Sequence, residues 1–401
     1  MEYNPTKNKL QSNIWKFAIH TITARRAYWP LLAVFFLTFP DNTLKQIGFF
    51  LAIGQVAGFI LEVPSGYIAD KIGHKKALII SKISLLLSTA LFAIGGNFYI
   101  FALGSIFVST GFAFDSGTLT AFMHEVLKAL KQDHLYSKII GKIRSKTFIV
   151  SAIILALLPL TVSINFRLPF IIAFFIDLTG LIVTLSFVVP KNKKVEIEEL
   201  KEDNFIAVLK AGKKLRFYPI LTLTSFISAM VIGASIYRDV YQQFLGISVI
   251  HLGFFFAMSR VVAAVVSNYF YRLHNVVSAR TYLAIAVLFY SLFIIGIGFA
   301  SNKWFVAIGF VIMVGSLHGS ATLLDHYKLE YIQKSKFKAT LLSIGGLGRS
   351  LFGVFTNLTL AFLIGRYLYS LGYVYYGLIG LVVLLSIYSV FIIWGLPKKH
   401  S

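Results

Sequence analysis

The sequence predicts an all-α polytopic membrane protein with twelve transmembrane helices. Of its 401 residues, 57% are apolar and only 13% are charged, whereas an ordinary soluble domain has about 25% charged residues. The apolar residues form long continuous stretches, and a helix needs about 20 of them to cross the hydrocarbon core. Because these stretches do not alternate between apolar and polar positions, they predict helices rather than the strands of a β-barrel.

Short polar connections separate most of the apolar stretches. Residues 1–13 are polar, and the first apolar stretch is too long for a secretory signal, so we expect the first span to be retained. In chain order, the twelve predicted spans are 14–39, 44–68, 77–95, 98–126, 140–163, 167–189, 217–243, 248–271, 281–300, 304–327, 340–364 and 370–394.

The positions of Lys and Arg predict the orientation, because cytoplasmic loops are enriched in these residues. With a cytoplasmic N-terminus, 29 of the 38 basic residues, Lys16 and Lys82 among them, belong to the cytoplasmic side and 5 to the opposite side. The sequence therefore predicts a multi-pass protein of the cytoplasmic (inner or plasma) membrane with both termini in the cytoplasm. The net charge of +22 then reflects topology and contact with anionic membrane lipids, and we expect no nucleic-acid partner.

Several classes of function are disfavoured by what the sequence lacks. The chain has no cysteine, which excludes disulfides, cysteine-ligated metals and thiol chemistry. It has neither a Walker A motif nor a G-x-G-x-x-G loop after a strand, and its nine histidines are scattered. We therefore expect no cofactor, no metal site and no enzymatic activity. An ATP-driven pump or a polytopic membrane enzyme is the alternative from another class.

The chain divides into two halves of six spans. The long connection between spans six and seven holds five of the sixteen acidic residues and predicts a solvated linker. A short repeat joins the fourth span of each half: the nine residues from Gly111 match those from Gly315 at four positions. We therefore expect an N-terminal six-helix bundle over 1–189, a cytoplasmic linker over 190–216 and a C-terminal six-helix bundle over 217–401.

The loop after span two carries the most informative motif. It reads Gly66-Tyr-Ile-Ala-Asp70-Lys-Ile-Gly73-His-Lys75-Lys76 and resembles the cytoplasmic signature of the major facilitator superfamily, G-x-L-a-D-r-x-G-r-k. The preceding Glu62-Val-Pro64-Ser65 is similar to the E-x-P-[ST]-G lead-in of one broad branch of that family. The loop between spans eight and nine keeps basic residues but lacks the Gly and Asp of the repeated motif. Spans four and five lack the R-x-x-Q-G and G-x-x-x-G-P patterns of proton-driven drug antiporters.

This resemblance implies two six-helix bundles related by a pseudo-twofold axis, with a substrate site between them near the midplane. It also implies a cytoplasmic gate in which Asp70 faces the end of a helix. At that gate we expect Gly66 and Gly73 to allow close helix approach and a tight turn, and Glu125 to pair with Lys75 or Lys76.

Ionisable side chains inside spans are costly and usually face the bundle interior or a cavity. Asp115 is near the middle of span four, and we predict that it carries a coupling proton. The candidate substrate-binding residues are Arg25, Arg26, Arg260, His318 and Arg349. Since neighbouring residues of a helix diverge by about 100°, only one of Arg25 and Arg26 is expected to face the cavity. The alternative is that these arginines pair with acids such as Asp177 and lock helices together.

Two further groups are interpreted as gates. Asp325 and His326 lie near the cytoplasmic end of span ten, and Tyr237, Arg238 and Asp239 lie near the outer end of span seven. The resemblance and the interior charges together predict a secondary active transporter that acts as a monomer by alternating access. We expect a small organic anion as substrate and protons as coupling ions. Export, for example of a polycarboxylate metabolite or a siderophore, is slightly preferred over proton-coupled uptake of a nutrient.

Overall fold

The structure is a computed structural model. It describes residues 7–116, 118–132, 135–190, 210, 212–270, 276–332, 338–366, 382, 386–387 and 389. Within these ranges every regular element is a helix, and no strand occurs. Most of span twelve and most of the linker lie outside the described residues.

Fifteen α-helices are labelled here in chain order. They are α1 Lys7–Gln11, α2 Asn13–Thr23, α3 Leu32–Phe36, α4 Leu44–Ile72, α5 His74–Ile94, α6 Phe98–Asp115, α7 Thr118–Ala129, α8 Tyr136–Leu157, α9 Leu168–Leu185, α10 Phe217–Ile236, α11 Arg238–Phe244, α12 Val249–Phe270, α13 Ala279–Phe299, α14 Lys303–Ile332 and α15 Lys338–Arg366.

Nine stretches of the described chain are long and apolar enough to cross a membrane. They correspond to the predicted spans two to ten, and α15 corresponds to span eleven. Several spans are not single helices. Span four is divided between α6 and α7, span five ends in a 3₁₀ turn at Leu158–Ser163, and span seven is interrupted between α10 and α11.

Span one departs from the continuous helix expected over 14–39. It consists of α2, a turn, a 3₁₀ turn at Trp29–Leu31 and the short helix α3. Pro30 lies within the broken segment, and because it has no N–H it cannot bond the carbonyl four residues earlier, that of Arg26. The Arg26 carbonyl, deprived of that donor, accepts instead from Trp29 N at 3.0 Å.

The chain divides into two compact units. The first comprises residues 1–41 and 53–201, and the second comprises 42–52 and 202–401. The start of α4 thus belongs with the second unit by its contacts, although it lies within the bundle expected over 1–189. In the first unit, α5 packs against α6 and α9, and α2 packs against α7, α8 and α9. In the second, α12 packs on α14, and α10 packs on α14 and α15.

Candidate functional site

A polar network lies inside the first unit, where α2, α5, α6 and α9 meet. Each helix contributes side chains at the level where span one breaks. The members are His20, Thr23, Arg26, Lys82, Thr89, Asp115, Asp177 and Thr184. Buried polar groups need partners, and the contacts among these residues supply them.

Arg26 and Asp177 form a buried bidentate ion pair. The two terminal nitrogens of Arg26 lie 2.5 and 2.9 Å from the carboxylate oxygens of Asp177. The Thr89 hydroxyl donates to the same carboxylate at 2.5 Å, and Arg26 also donates to the Thr23 carbonyl at 2.8 Å. The Arg26 guanidinium therefore ties the broken end of span one to span six, and its charge is neutralised there.

His20 and Asp115 form the second pair of the network. His20 Nε2 lies 2.8 Å from Asp115 Oδ1, and Nδ1 lies 2.7 Å from the Thr184 hydroxyl. The His20 side chain is fully buried, whereas the Asp115 side chain keeps 23% of its exposure. Asp115 is the last residue of α6, so this contact joins the break in span four to α2. Asp115 is thus the more accessible end of a buried polar chain.

Lys82 is fully buried in α5, although the sequence placed it with the cytoplasmic lysines. Its ammonium donates to the His20 carbonyl and to the Thr23 hydroxyl, both at 2.8 Å. Lys16 is also buried, and its ammonium donates to the Ser186 carbonyl at 2.7 Å. These two lysines are therefore buried, and their assignment to the cytoplasmic side stays a prediction. Both ammonium groups extend into the bundle, where carbonyls at helix ends accept hydrogen bonds from them.

Gly180 of α9 makes room for this arrangement. An added Cβ at this position would overlap the Thr23 hydroxyl and lie 3.2 Å from the Lys82 ammonium. A side chain larger than hydrogen would therefore displace both groups. The absence of a side chain at Gly180 lets α2 and α9 approach closely enough for the contacts of His20 and Arg26.

Arg25 points away from the Arg26 pair. Its guanidinium lies 4.7 Å from the centre of the Phe148 ring in α8, in a cation–π contact. The side chain is half-buried. The two neighbouring arginines thus diverge, and Arg25 remains the candidate of the two for contact with a substrate.

The candidate residues of the second unit are not brought together by the contacts described. His318 donates from Nδ1 to the Val314 carbonyl of its own helix at 2.8 Å, and its side chain is exposed. Arg260 is half-buried in α12, and Arg349 is exposed in α15. Their role in binding stays a prediction.

At the motif loop, the turn between α4 and α5 is made at Gly73, whose φ of +94° favours glycine. Gly66 is helical, and within the described part of the chain an added Cβ there would meet nothing within 4 Å. Among the described residues, therefore, no neighbouring helix comes close to Gly66 on the side where a side chain would project. The side chain of Asp70 lies outside what the structure describes.

Glu125 takes a different partner from the expected Lys75 or Lys76. Its carboxylate lies 3.2 Å from Nδ1 of His74, the first residue of α5. Lys75 is half-buried and Lys76 is exposed. The contact still joins the loop after α4 to the end of span four, but through an imidazole. The Glu62 side chain is half-buried, and its carbonyl accepts from the Ser65 hydroxyl at 3.2 Å.

The group predicted as an outer gate is buried. Arg238 Nε donates to Asp239 Oδ1 at 3.0 Å, and the guanidinium lies 3.4 Å from the centre of the Phe256 ring. Tyr237, at the break between α10 and α11, is fully buried. The side chains of Asp325 and His326 are outside the described set. Within the part of the chain that the structure describes, no three or more His, Asp or Glu side chains form a group that could hold a metal ion.

Comparison with known proteins agrees with this architecture. The sequence model of the Major Facilitator Superfamily matches residues 18–351. The chain belongs to the major facilitator superfamily. Membership makes it a multi-pass membrane transporter rather than an enzyme. Among curated proteins, the uncharacterized MFS-type transporter YxaM of Bacillus subtilis (strain 168) is 24% identical over 263 residues, which cover 64% of this chain and 64% of YxaM.

Solved structures share the facilitator fold at low identity. A mutant form of the nucleoside transporter NupG gives a TM-score of 0.74 at 12% identity and covers 94% of this chain and 99% of its own. A bacterial homolog of the human lysosomal transporter Spinster gives 0.72 at 14%, covering 98% and 97%. A D-xylose-proton symporter gives 0.67 at 14%, covering 98% of each chain. At these identities the likeness establishes the fold alone.

Two ionisable members of the network, His20 and Lys82, and its three threonines were not recognised as site residues in the sequence. His20 is a single histidine in an apolar stretch, a pattern that carries little information by itself. Lys82 did offer a signal, since it lies eight residues after the start of α5, or about 12 Å along the helix. That depth is more than the position of a loop lysine requires, and it could have marked Lys82 as an interior residue.

Proposed function

We propose that this facilitator moves a small organic anion across the cytoplasmic membrane, coupled to protons, with both termini in the cytoplasm. The observation that carries the proposal is the charge of the network in the first unit. Arg26 and Lys82 balance the carboxylates of Asp177 and Asp115, so His20, once protonated, and the neighbouring Arg25 provide the positive excess. Basic groups in excess inside a membrane protein favour an anionic ligand.

Within this proposal Asp115 takes up the coupling proton and His20 orients its carboxylate. Asp115 is suited to this role because its side chain is more accessible than that of Asp177, at 23% against 2%. Arg26 is structural, since Asp177 already satisfies it in bidentate geometry. Arg25 is the first candidate for substrate contact, and Arg260, His318 and Arg349 remain candidates in the second unit.

Export of an anion in exchange for protons is the first candidate direction, by a slight preference, since the sequence does not choose between export and import. Uptake of an anion together with a proton is the second candidate, and the position of Asp115 supports it. Ionised Asp115 occupies the same basic region that a substrate anion would need, and like charges exclude one another there. Protonation of Asp115 would admit the anion, and the two would then travel together.

The experiment is uptake into proteoliposomes that contain the purified protein. The probes are labelled citrate, succinate and lactate, with uridine and D-xylose as neutral comparisons, each tested with an inward, an outward and no pH gradient. We expect transport of at least one anion to respond to the gradient, and the sign of the response distinguishes exchange from cotransport. Gradient-dependent transport of the neutral probes without any of the anions would refute the proposal.

A further inference from the structure

The C-terminal end of α2 is an oxygen-rich site buried within the first unit. The last carbonyls of a helix carry the negative end of the helix dipole and are only partly satisfied within it; the His20 carbonyl, for example, accepts from Ala24 N at 3.1 Å. Here they lie at a break inside a membrane span, where water cannot satisfy them. His20 is fully buried, and Thr23 nearly so. Such an end attracts a cation.

Two tethered cations occupy this end. Arg26 donates to the Thr23 carbonyl at 2.8 Å. The Lys82 ammonium donates to the His20 carbonyl and the Thr23 hydroxyl, both at 2.8 Å. Asp115 belongs to the same network through its contact with the His20 imidazole at 2.8 Å, and Asp177 through its pair with Arg26. A carbonyl, a hydroxyl and nearby carboxylates are the ligand types that alkali cations take at the ends of broken helices in transporters.

We propose that the Lys82 ammonium is a built-in monovalent cation at the broken end of span one, in the position where another transporter would bind an alkali ion. The chain thereby supplies covalently the positive charge that Na⁺ or K⁺ would bring. Arg26 does not fill this role, because its charge is neutralised by Asp177. The consequence goes beyond the proposed function: neither folding nor transport requires an alkali cation, and a cation site opens when Lys82 is shortened.

The direct test is chemical rescue of Lys82→Ala, followed by the thermal unfolding midpoint of the purified protein. The substitution removes three carbons and the ammonium, a volume that n-propylammonium fits. We expect n-propylammonium to raise the midpoint of Lys82→Ala by about 3 °C or more at saturation, because it binds only the folded state. Tetramethylammonium at equal concentration, which is too large and donates no hydrogen bond, is expected to leave the midpoint unchanged.

Lys16→Ala is the matched control, because Lys16 is also a buried lysine on a helix-end carbonyl, that of Ser186, but it lies outside the network. Lys16→Ala should lower the unfolding midpoint, and n-propylammonium should not restore it more than tetramethylammonium does. The wild-type protein should show the same midpoint in sodium, potassium and choline chloride. Equal effects of the two amines on Lys82→Ala, or a sodium- or potassium-specific shift in the wild type, would overturn the proposal.

A second variant covers the case in which Lys82→Ala does not fold. Lys82→Gln keeps two donors for the same oxygens but carries no charge, so it should fold and lose at least tenfold in anion uptake. Uptake equal to wild type in folded Lys82→Gln would show that the charge is unnecessary. This second readout relies on the proposed function, whereas the thermal test does not. Failure of the wild type to transport any anion would therefore count against the function alone.

Discussion

The Arg26–Asp177 pair gives the sharpest test of which residues hold the first unit together. Arg26 and Asp177 keep only 5% and 2% of their side-chain exposure, so neither charge can reach water when its partner is removed. Breaking a buried pair from one side costs about 3–5 kcal/mol, whereas replacing both partners by apolar residues of similar volume is often neutral. The structure therefore predicts strong coupling between the two positions.

The perturbations are Asp177→Leu, Arg26→Met and the double variant. Each single change should lower the free energy of unfolding by about 3–5 kcal/mol, because it leaves one buried charge. The double variant should lie within about 1 kcal/mol of the wild type, since the Thr89 hydroxyl retains the Leu85 carbonyl as acceptor at 3.0 Å. The measurement is unfolding by SDS titration in mixed micelles, with anion uptake followed in parallel.

The half-exposed His74–Glu125 pair provides the control. Its side chains keep 18% and 32% of their exposure, so water can solvate either one alone, and Glu125→Gln should cost less than about 1 kcal/mol. If Arg26 is structural, the double variant also transports normally. A stable double variant without transport would refute that assignment and return Arg26 to the substrate site. Additive losses in the double variant would refute the pair itself.

Three further changes test the network. Asp115→Asn should abolish gradient-driven transport while the protein still exchanges substrate, and a poorly folded product would instead assign Asp115 a structural role with His20. Arg25→Gln should weaken anion uptake at least tenfold with little change in thermal stability, and unchanged uptake would contradict its assignment to the cavity. Gly180→Ala should cost about 1–3 kcal/mol by overpacking against Thr23. Gly296→Ala, whose added Cβ lies 3.7 Å from Phe305, is the control and should stay near wild type.

The fold was predictable because the signals that determine it are long and redundant. Spans two to ten are continuous apolar runs, and composition and loop motif agreed with them. The break in span one was not predicted, although Pro30 marks it. Hydropathy counts apolar residues, and those on either side of Pro30 remain apolar whether or not the backbone is helical. The sequence signal for the break is a single residue, Pro30. Hydropathy averaged over a whole span does not register one residue.

The site was predictable only in part, because pairing depends on which way a side chain points. The sequence offered two readings for Arg26, substrate contact or a pair with Asp177, and a contact between positions 151 residues apart cannot be read from spacing. The inward direction of the Lys82 side chain was not predicted for a related reason. A lysine within a few turns of a span end usually extends its ammonium toward the membrane surface. The depth of Lys82 along α5 hinted at an interior position, and its contacts with the His20 carbonyl and the Thr23 hydroxyl show that it extends inward.

A formal charge count of the network links the pairs to the proposed coupling. Arg26 and Asp177 neutralise each other, which leaves Lys82, on the His20 carbonyl, and Asp115, on the His20 imidazole, joined through His20. With Lys82 and Asp115 ionised and His20 neutral, this remainder has no net charge. One added proton, on Asp115 or on His20, gives it a charge of +1 within a region where water is scarce. A small anion entering beside it would restore neutrality, and the electrostatic gain is large at low dielectric. Under the proposed mechanism, proton binding and anion binding therefore favour each other through the same few side chains, and neutralising Lys82 would remove that dependence.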